Sequence, residues 1–130
     1  MLRLSQVLDE PSLGLESLVS RGDPKIDWAH VSELVDPTPW LTGGELLLTT
    51  GLELFVDDFD STEYCRRLAS AGVAALGLST GDSLPHPTPP ASLVAAAETA
   101  NISLVHVPEG TPLQAVVRWE IGRASCRERV

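Results

Sequence analysis

Residues 43–51 read GGELLLTTG, and this stretch decides the fold prediction. Three leucines stand between Glu45 and two β-branched threonines, a pattern typical of a strand that is buried on both faces. Strands of that kind belong to α/β sheets that helices cover. Gly43 and Gly44 are expected to turn the chain into the strand, and Gly51 to turn it out again. The stretch therefore predicts a central strand of a parallel sheet.

Strands and helices alternate through the second half of the chain. Apolar runs predict strands at residues 45–50, 73–79 and 102–107. Capping and stop residues predict a helix that begins after Asp60 and ends at Gly72, a second one over 91–100, and a third that begins at Thr111. A strand–helix alternation of this kind favours a parallel sheet with right-handed crossovers.

The first half reads as an addition to that sheet. SQVLDE predicts a short helix with Ser5 as its N-cap, and residues 13–19 and 26–31 predict strands. The predicted fold class is α/β: a three-layer-like domain with a mostly parallel sheet, alternation over residues 45–120, and a mixed edge from residues 13–31.

Composition narrows the class of protein. Hydrophobic residues make up 43% of the 130 residues and charged residues 21%, which is ordinary for one globular domain. No membrane segment or signal peptide is indicated, and two cysteines favour a reducing compartment, so a cytoplasmic location is expected. The net charge of -9 repels phosphate backbones, so we expect no DNA binding by this chain alone.

The three predicted strands end in similar turns, at Thr49–Gly51, Ser79–Gly81 and Pro108–Gly110. Parallel strands end on the same side of a sheet, where open α/β sheets bind ligands, so these turns are expected to lie close together. Hydroxyls and backbone N–H groups of TTG and STG can contact a polar ligand there. The alternative is turn chemistry alone, with glycine supplying positive φ and threonine a local hydrogen bond.

WAHVSE, residues 28–33, is the densest polar and aromatic group of the chain. Trp28, His30 and Glu33 are candidate ligand contacts, with sheet packing as the alternative. His106 is expected to pack within a strand, and His86, between prolines, to be solvated.

Catalytic and metal sites are not indicated. The three histidines lack metal-ligand spacing, and neither a phosphate-binding loop nor a G-x-S-x-G motif occurs. Cys65 stands beside Arg66 and Arg67, which permits a reactive thiolate, but a half-buried structural cysteine is expected. The acids Asp57, Asp58, Asp60 and Glu63 are interpreted as helix-capping charges rather than a cation site. We predict no enzyme activity, no metal and no cofactor.

The last ten residues, IGRASCRERV, depart from the rest. They hold three of the nine basic residues and one of the eighteen acids, and they continue a helix without an apolar stripe. They also resemble a translated sequencing adapter. We therefore expect residues 1–120 to form the domain and residues 121–130 to be an artefactual tail. The natural protein is then expected to continue past residue 120 with a different sequence.

Four segments together resemble the N-terminal domain of the PucR-type transcriptional regulators, the purine catabolism regulatory protein-like family. They are Trp28–Leu34, Asp36–Gly51, Ala71–Leu78 and Ala96–Pro108, and the resemblance covers about residues 4–120. GGELLLTTG after DPTPWL is its most specific part. The shared motif also includes Trp40, Gly43, Gly44 and Glu45.

The resemblance implies a regulatory, effector-sensing domain that precedes a helix-turn-helix in the intact regulator. It implies a purine metabolite, an amino acid or an amine as effector, and a homodimer as the intact form. The alternatives are a fragment of an α/β enzyme and a purely structural oligomerisation domain. The residues predicted to bind the effector are Trp28, His30, Glu33, Glu45, Thr49, Thr50, Gly51, Ser79 and Thr80.

Overall fold

The computed structural model describes residues 2–34, 36–51 and 60–128, with side chains through Gly122. Asp57 and Asp58, interpreted above as capping charges, lie outside the described residues, as do the side chains of the tail from residue 123 onward. The elements in chain order are β1 (Leu2–Arg3), α1 (Leu4–Leu8), β2 (Glu16–Val19), β3 (Lys25–Ile26), β4 (Trp28–Val31), a 3-10 turn (Thr38–Trp40), β5 (Glu45–Thr49), α2 (Ser61–Ser70), β6 (Ala75–Thr80), α3 (Ala91–Ala100), β7 (Ser103–Pro108) and α4 (Leu113–Glu128).

A five-stranded sheet in the order β2-β7-β6-β5-β4 forms the centre of the fold. Strands β4, β5, β6 and β7 are parallel neighbours, whereas β2 pairs antiparallel with β7 through Ser17 and Val105. The short strands β1 and β3 form a separate antiparallel pair. The predicted α/β class with a mostly parallel sheet is therefore confirmed, and β2 supplies the mixed edge.

Helices cover both faces of the sheet. Leu47, on β5, packs in one core with α2 and α3. Leu46 and Leu48, its neighbours on the same strand, pack in a second core with α1 and α4. All three leucines are fully buried, because alternate side chains of a strand point to opposite faces and both faces are covered. This arrangement is the physical reason for the unbroken apolar run in ELLLTT.

Local capping chemistry sets the ends of α2 and α3. The Asp60 side chain accepts a hydrogen bond from the Glu63 backbone N–H at 3.2 Å, so the predicted cap is confirmed. Gly72, just past α2, has a positive φ of 82°. Asn101 ends α3 in the left-handed conformation, and the predicted bounds of that helix, 91–100, are confirmed. Residues at or next to the helix ends thus determine where α2 begins and where α2 and α3 end.

The first half follows its predictions less closely. The predicted strand over 26–31 breaks at Asp27, because Ile26 pairs with β1 and Trp28–Val31 pair with β5. The predicted cap Ser5 lies inside α1, which begins after Arg3. The Thr111 hydroxyl donates to the Leu13 carbonyl at 2.6 Å, and α4 begins at Leu113.

Candidate ligand-binding site

The polar turns that follow β5, β6 and β7 lie side by side at one end of the sheet, which we call the carboxyl end. Strand β6 lies between the other two, with Thr49 of β5 in register with Leu78, and Thr80 in register with Pro108 of β7. The prediction that the three turns are neighbours is therefore confirmed by the strand order. A polar site can form here from residues that are far apart in sequence.

Glu33 holds the end of β5 through a group of three hydrogen bonds. Its Oε1 accepts from Thr49 Oγ1 at 2.8 Å, and its Oε2 accepts from the Thr50 N–H at 2.9 Å and from Thr50 Oγ1 at 2.8 Å. The Gly51 N–H donates in turn to Thr49 Oγ1 at 3.0 Å. The structure thus brings together Glu33, Thr49, Thr50 and Gly51, which the sequence analysis predicted as site residues, and we call these four the threonine–carboxylate cluster.

Both threonine hydroxyls of the cluster donate their hydrogens to Glu33; the Thr49 oxygen then accepts from the Gly51 N–H, and the Thr50 oxygen keeps its acceptor capacity. Glu33 and Thr50 are half-buried, so the cluster is partly open to solvent, while Thr49 is buried. Burial, followed by the neighbouring Cys65 and Glu33, raises the pKa of the Tyr64 hydroxyl well above its usual range. The cluster therefore presents acceptor oxygens and a negative charge, which complement a ligand with N–H donors.

His86 is buried against Gly51, so the prediction that it is solvated is wrong. Its side chain is 7% exposed, and its Nε2 lies 3.0 Å from the Gly51 carbonyl oxygen. The loop after β6 folds back, with the Gly81 N–H donating to the His86 carbonyl at 3.0 Å. No local pattern marks this contact, since the surrounding prolines resemble an exposed loop. His86 thus closes one side of the cluster from 35 residues away.

Glu109 joins the turns after β6 and β7. Its carboxylate accepts hydrogen bonds from the N–H groups of Asp82, at 3.2 Å, and Ser83, at 3.0 Å, and from the Ser83 hydroxyl. The carboxylate also lies where a side chain on Gly81 would be. The sequence analysis did not predict Glu109 as a site residue. Two acids, Glu33 and Glu109, therefore lie at the carboxyl end of the sheet, each bonded to a turn there.

The structure does not bring the other predicted contacts into the cluster. Glu45 and Trp28 pair with each other at the opposite, amino end of the sheet. Glu45 is fully buried and accepts hydrogen bonds from the N–H groups of Thr42 and Gly43. His30 pairs with Leu47 in mid-strand and is half-buried. Ser79 and Thr80 lie at the correct end, but both are buried and face opposite sides of the sheet.

Two cavities bordered by the described residues lie away from the cluster. One of about 350 Å³ opens at the amino end of the sheet, among Arg21, Lys25, Gly44, Val73 and Ser103. Another of about 280 Å³ lies beside the C-terminal half of α2, between Thr38 and Arg67. Both have arginine in their walls, in contrast to the acidic carboxyl end.

Cys65 is a structural residue of the core between the sheet and α2, and it is more buried than predicted. Its side chain has no exposed surface. Burial raises the pKa of the Cys65 thiol to about 11, so the adjacent arginines do not activate it. The reactive-thiolate alternative is therefore wrong.

We expect Cys65 in the folded chain to resist alkylation. At about pH 8, a thiol with a pKa of about 11 is ionised in roughly one molecule in a thousand, and burial also blocks access. In a Cys126→Ser variant, where Cys65 is the remaining cysteine, iodoacetamide should label the thiol only after denaturant is added. Rapid labelling of the native variant would contradict this assignment.

The raised pKa also predicts a loss of stability at alkaline pH. The unfolded thiol ionises near its ordinary pKa of 9.0 and the folded thiol does not, so this stability is complete below about pH 9 and declines above it. Between about pH 8 and pH 10 the Cys65 contribution to the free energy of unfolding should fall by about 1.4 kcal/mol. Urea titrations at both pH values measure this fall, and Cys65→Ala should remove that part of it.

Among the residues that the structure describes, no helix is both long enough and apolar enough to cross a membrane.

Fold and site together define an α/β domain of three layers, whose polar turns gather at the carboxyl end of a parallel sheet. The family model of the purine catabolism regulatory protein-like family, PucR, matches residues 6–119. The chain therefore belongs to the PucR family, and the resemblance noted from the sequence is confirmed. The description of the family is that of a regulatory protein.

A curated relative is similar in sequence, and a solved structure is similar in fold. The transcriptional activator PmfR of Paenarthrobacter nicotinovorans is 30% identical over 120 residues, which are 91% of this chain and 25% of that protein. The chain thus spans about a quarter of the length of this relative. The crystal structure of the CBS and DRTGG domains of the regulatory region of Clostridium perfringens pyrophosphatase, complexed with its activator diadenosine tetraphosphate, superposes with a TM-score of 0.53. It covers 88% of this chain and 44% of that one at 17% identity, and shows a shared fold.

Proposed function

We propose that this chain is the N-terminal, effector-sensing domain of a bacterial transcriptional regulator of purine or other nitrogen-compound catabolism. The observation that carries the proposal is the threonine–carboxylate cluster, Glu33 with Thr49, Thr50 and Gly51, at the carboxyl end of the parallel sheet. Open α/β sheets bind their ligands at that end. The effector acts there, and DNA binding belongs to another part of the regulator, in agreement with a net charge of -9.

The cluster favours an effector that donates N–H groups. Glu33 carries the negative charge and the half-buried Thr50 oxygen adds an acceptor, an arrangement that attracts an amine, an amino acid's ammonium group or the N–H edge of a purine. The same charge repels phosphate. The names of the similar proteins agree with a regulatory role, since one is a transcriptional activator and the other a regulatory region in complex with an activator.

Replacing both Thr49 and Thr50 with valine is expected to weaken effector binding about tenfold or more while the chain stays folded. Valine keeps the shape of threonine but removes two hydroxyls that order Glu33, and the Thr50 hydroxyl is also the acceptor proposed for the ligand. The measurement is a thermal-shift screen of purine metabolites, amino acids and amines, followed by calorimetric titration of the ligand that raises the Tm. At a concentration about 100 times its Kd, that ligand should stabilise the chain by about 2.7 kcal/mol.

Thr99→Val is the matched control. The Thr99 hydroxyl bonds to the Ala95 carbonyl on an exposed side of α3, remote from the cluster, so this variant should bind like the unmodified chain. Glu33→Gln should weaken binding at least as much as the double valine variant, because it removes the charge. A screen in which no compound stabilises the folded chain, or equal binding by the valine variant, would count against the proposal.

The two alternative functions predict different experimental results. A purely structural oligomerisation domain would form a tight dimer, without response to any ligand, in light scattering. An enzyme fragment would turn over a nucleotide or an ester. We also propose that the intact regulator is a homodimer. We propose a cytoplasmic location as well, because a bacterial regulator of transcription acts on DNA in the cytoplasm.

A further inference from the structure

The cavity at the amino end of the sheet differs in charge from the rest of the molecule. It lies where β5, β6 and β7 begin, roughly 15 Å along the strands from the threonine–carboxylate cluster. Arg21 and Lys25 line it, and among the described residues of the wall none is acidic, while the Asp27 carboxylate lies just behind Gly44 of that wall. The whole chain has eighteen acids and nine basic residues, whereas this wall has two cations and one neighbouring acid, Asp27.

Each of the two cations already has one partner in the chain, but that partner does not occupy all of its N–H donors. Arg21 Nη2 donates to the Glu98 carbonyl at 3.2 Å near the end of α3, where a cation is favourable, and that bond uses one of five guanidinium N–H donors. Lys25 lies 3.4 Å from Asp27, but both side chains are about half exposed, and such pairs contribute little. Both cations therefore keep donors that can turn to a ligand.

The remaining walls combine apolar and polar groups. Val73 and Ile102 are buried apolar residues of the wall. The backbone N–H of Arg21 donates a hydrogen bond to the Ser103 hydroxyl at 3.1 Å, which fixes the main chain at Arg21. Asn101 adds an exposed amide side chain. A volume of about 350 Å³ is at the lower end of the range of roughly 300–1,000 Å³ that is usual for small-molecule sites.

From this arrangement we propose that the amino end of the sheet is a second small-molecule site, which binds a small organic carboxylate. The carboxylate lies against Arg21 and Lys25, and its apolar body contacts Val73 and Ile102. This site prefers the opposite charge to the one proposed at the carboxyl end. It stands independently of the proposed effector site, because the two share no residue.

The test uses benzoate as the probe on the ¹⁵N-labelled chain, with benzamide and benzylamine as its neutral and cationic counterparts. Benzoate should shift the NMR signals of the amides of Gly72, Ile102 and Ser103 and leave Gly51 unchanged, with a Kd on the order of 1 mM. Benzamide and benzylamine should bind at least about tenfold more weakly. Equal binding of the three compounds, or no shift at the amino end with saturating benzoate, would overturn the proposal.

Substitutions test the two cations directly. Lys25→Gln, and Arg21→Gln in a separate variant, should each weaken benzoate binding by about tenfold. Arg118→Gln is the matched control, because Arg118 is an exposed residue of α4, outside the cavity wall. Should Arg21→Gln disturb the end of α3, Lys25→Gln and the comparison of the three probes still decide the question. Unchanged benzoate binding by a folded Lys25→Gln variant would contradict the assigned site.

Discussion

Replacing Gly51 with alanine is expected to lower the free energy of unfolding by about 3 kcal/mol. Gly51 has a φ of 75°, where alanine costs about 1 kcal/mol or more. A methyl group there would lie 2.6 Å from Cδ2 of the buried His86 ring. The ring has to move, which disrupts its contact with the Gly51 carbonyl oxygen and adds a loss of about 1 to 2 kcal/mol.

Gly22→Ala separates the two costs. Gly22 has nearly the same conformation, with a φ of 70°, and among the described residues none apart from its chain neighbours has an atom within 4 Å of the added methyl. This variant should lose only the conformational part, about 1 kcal/mol. Urea unfolding of both variants measures the difference, which reports the His86 contact. Equal losses in the two variants would show that His86 does not pack against Gly51 as described.

Replacing Glu45 with alanine should cost about 3 to 4 kcal/mol of stability, the largest effect we expect. The buried carboxylate accepts from the Thr42 N–H at 2.7 Å and from the Gly43 N–H at 3.0 Å, and so holds the turn before β5. Alanine leaves two partly buried donors without their charged acceptor, each costing about 1.5 to 2 kcal/mol. Chemical denaturation followed by circular dichroism provides the measurement.

Glu45→Gln and Glu98→Ala are the controls for this effect. Glutamine keeps one side-chain oxygen as an acceptor, so about half of the loss is expected. Glu98 is an exposed residue of α3, and its replacement should change stability by less than about 0.5 kcal/mol. Near-native stability of Glu45→Ala would contradict the structural role. The same variant, if folded, should keep its effector response, because Glu45 lies at the other end of β5 from the cluster.

The sequence predicted the fold better than the site because fold signals are local. Burial on both faces made ELLLTT apolar, and Asp60 and Asn101 cap their helices through their own neighbours in the chain. The strand break at Asp27 was missed, since the residues on its two sides pair with different strands. One continuous strand and two short strands show the same alternation of apolar and polar residues. The pattern therefore could not show that β3 belongs to a separate pair with β1.

For the candidate site, the sequence indicated the correct end of the sheet but not its full membership. Thr49, Thr50 and Gly51 follow from the position where β5 ends, whereas Glu45 belongs to the turn at the other end. The assignment of His86 as solvated failed because its burial depends on a contact with Gly51, 35 residues earlier. A loop with four prolines carries no local sign of such a contact.

By itself, then, the amino-acid sequence determined which segments form buried strands and capped helices, and that the parallel strands end in polar turns. Each of these depends on a residue and its near neighbours, so the physical signal lies within a few positions. Only the tertiary structure decided that Glu33 reaches Thr49 and Thr50, that His86 covers Gly51, and that Arg21 and Lys25 line one cavity. Those contacts join distant segments through strand order and packing, which no short stretch of the chain specifies.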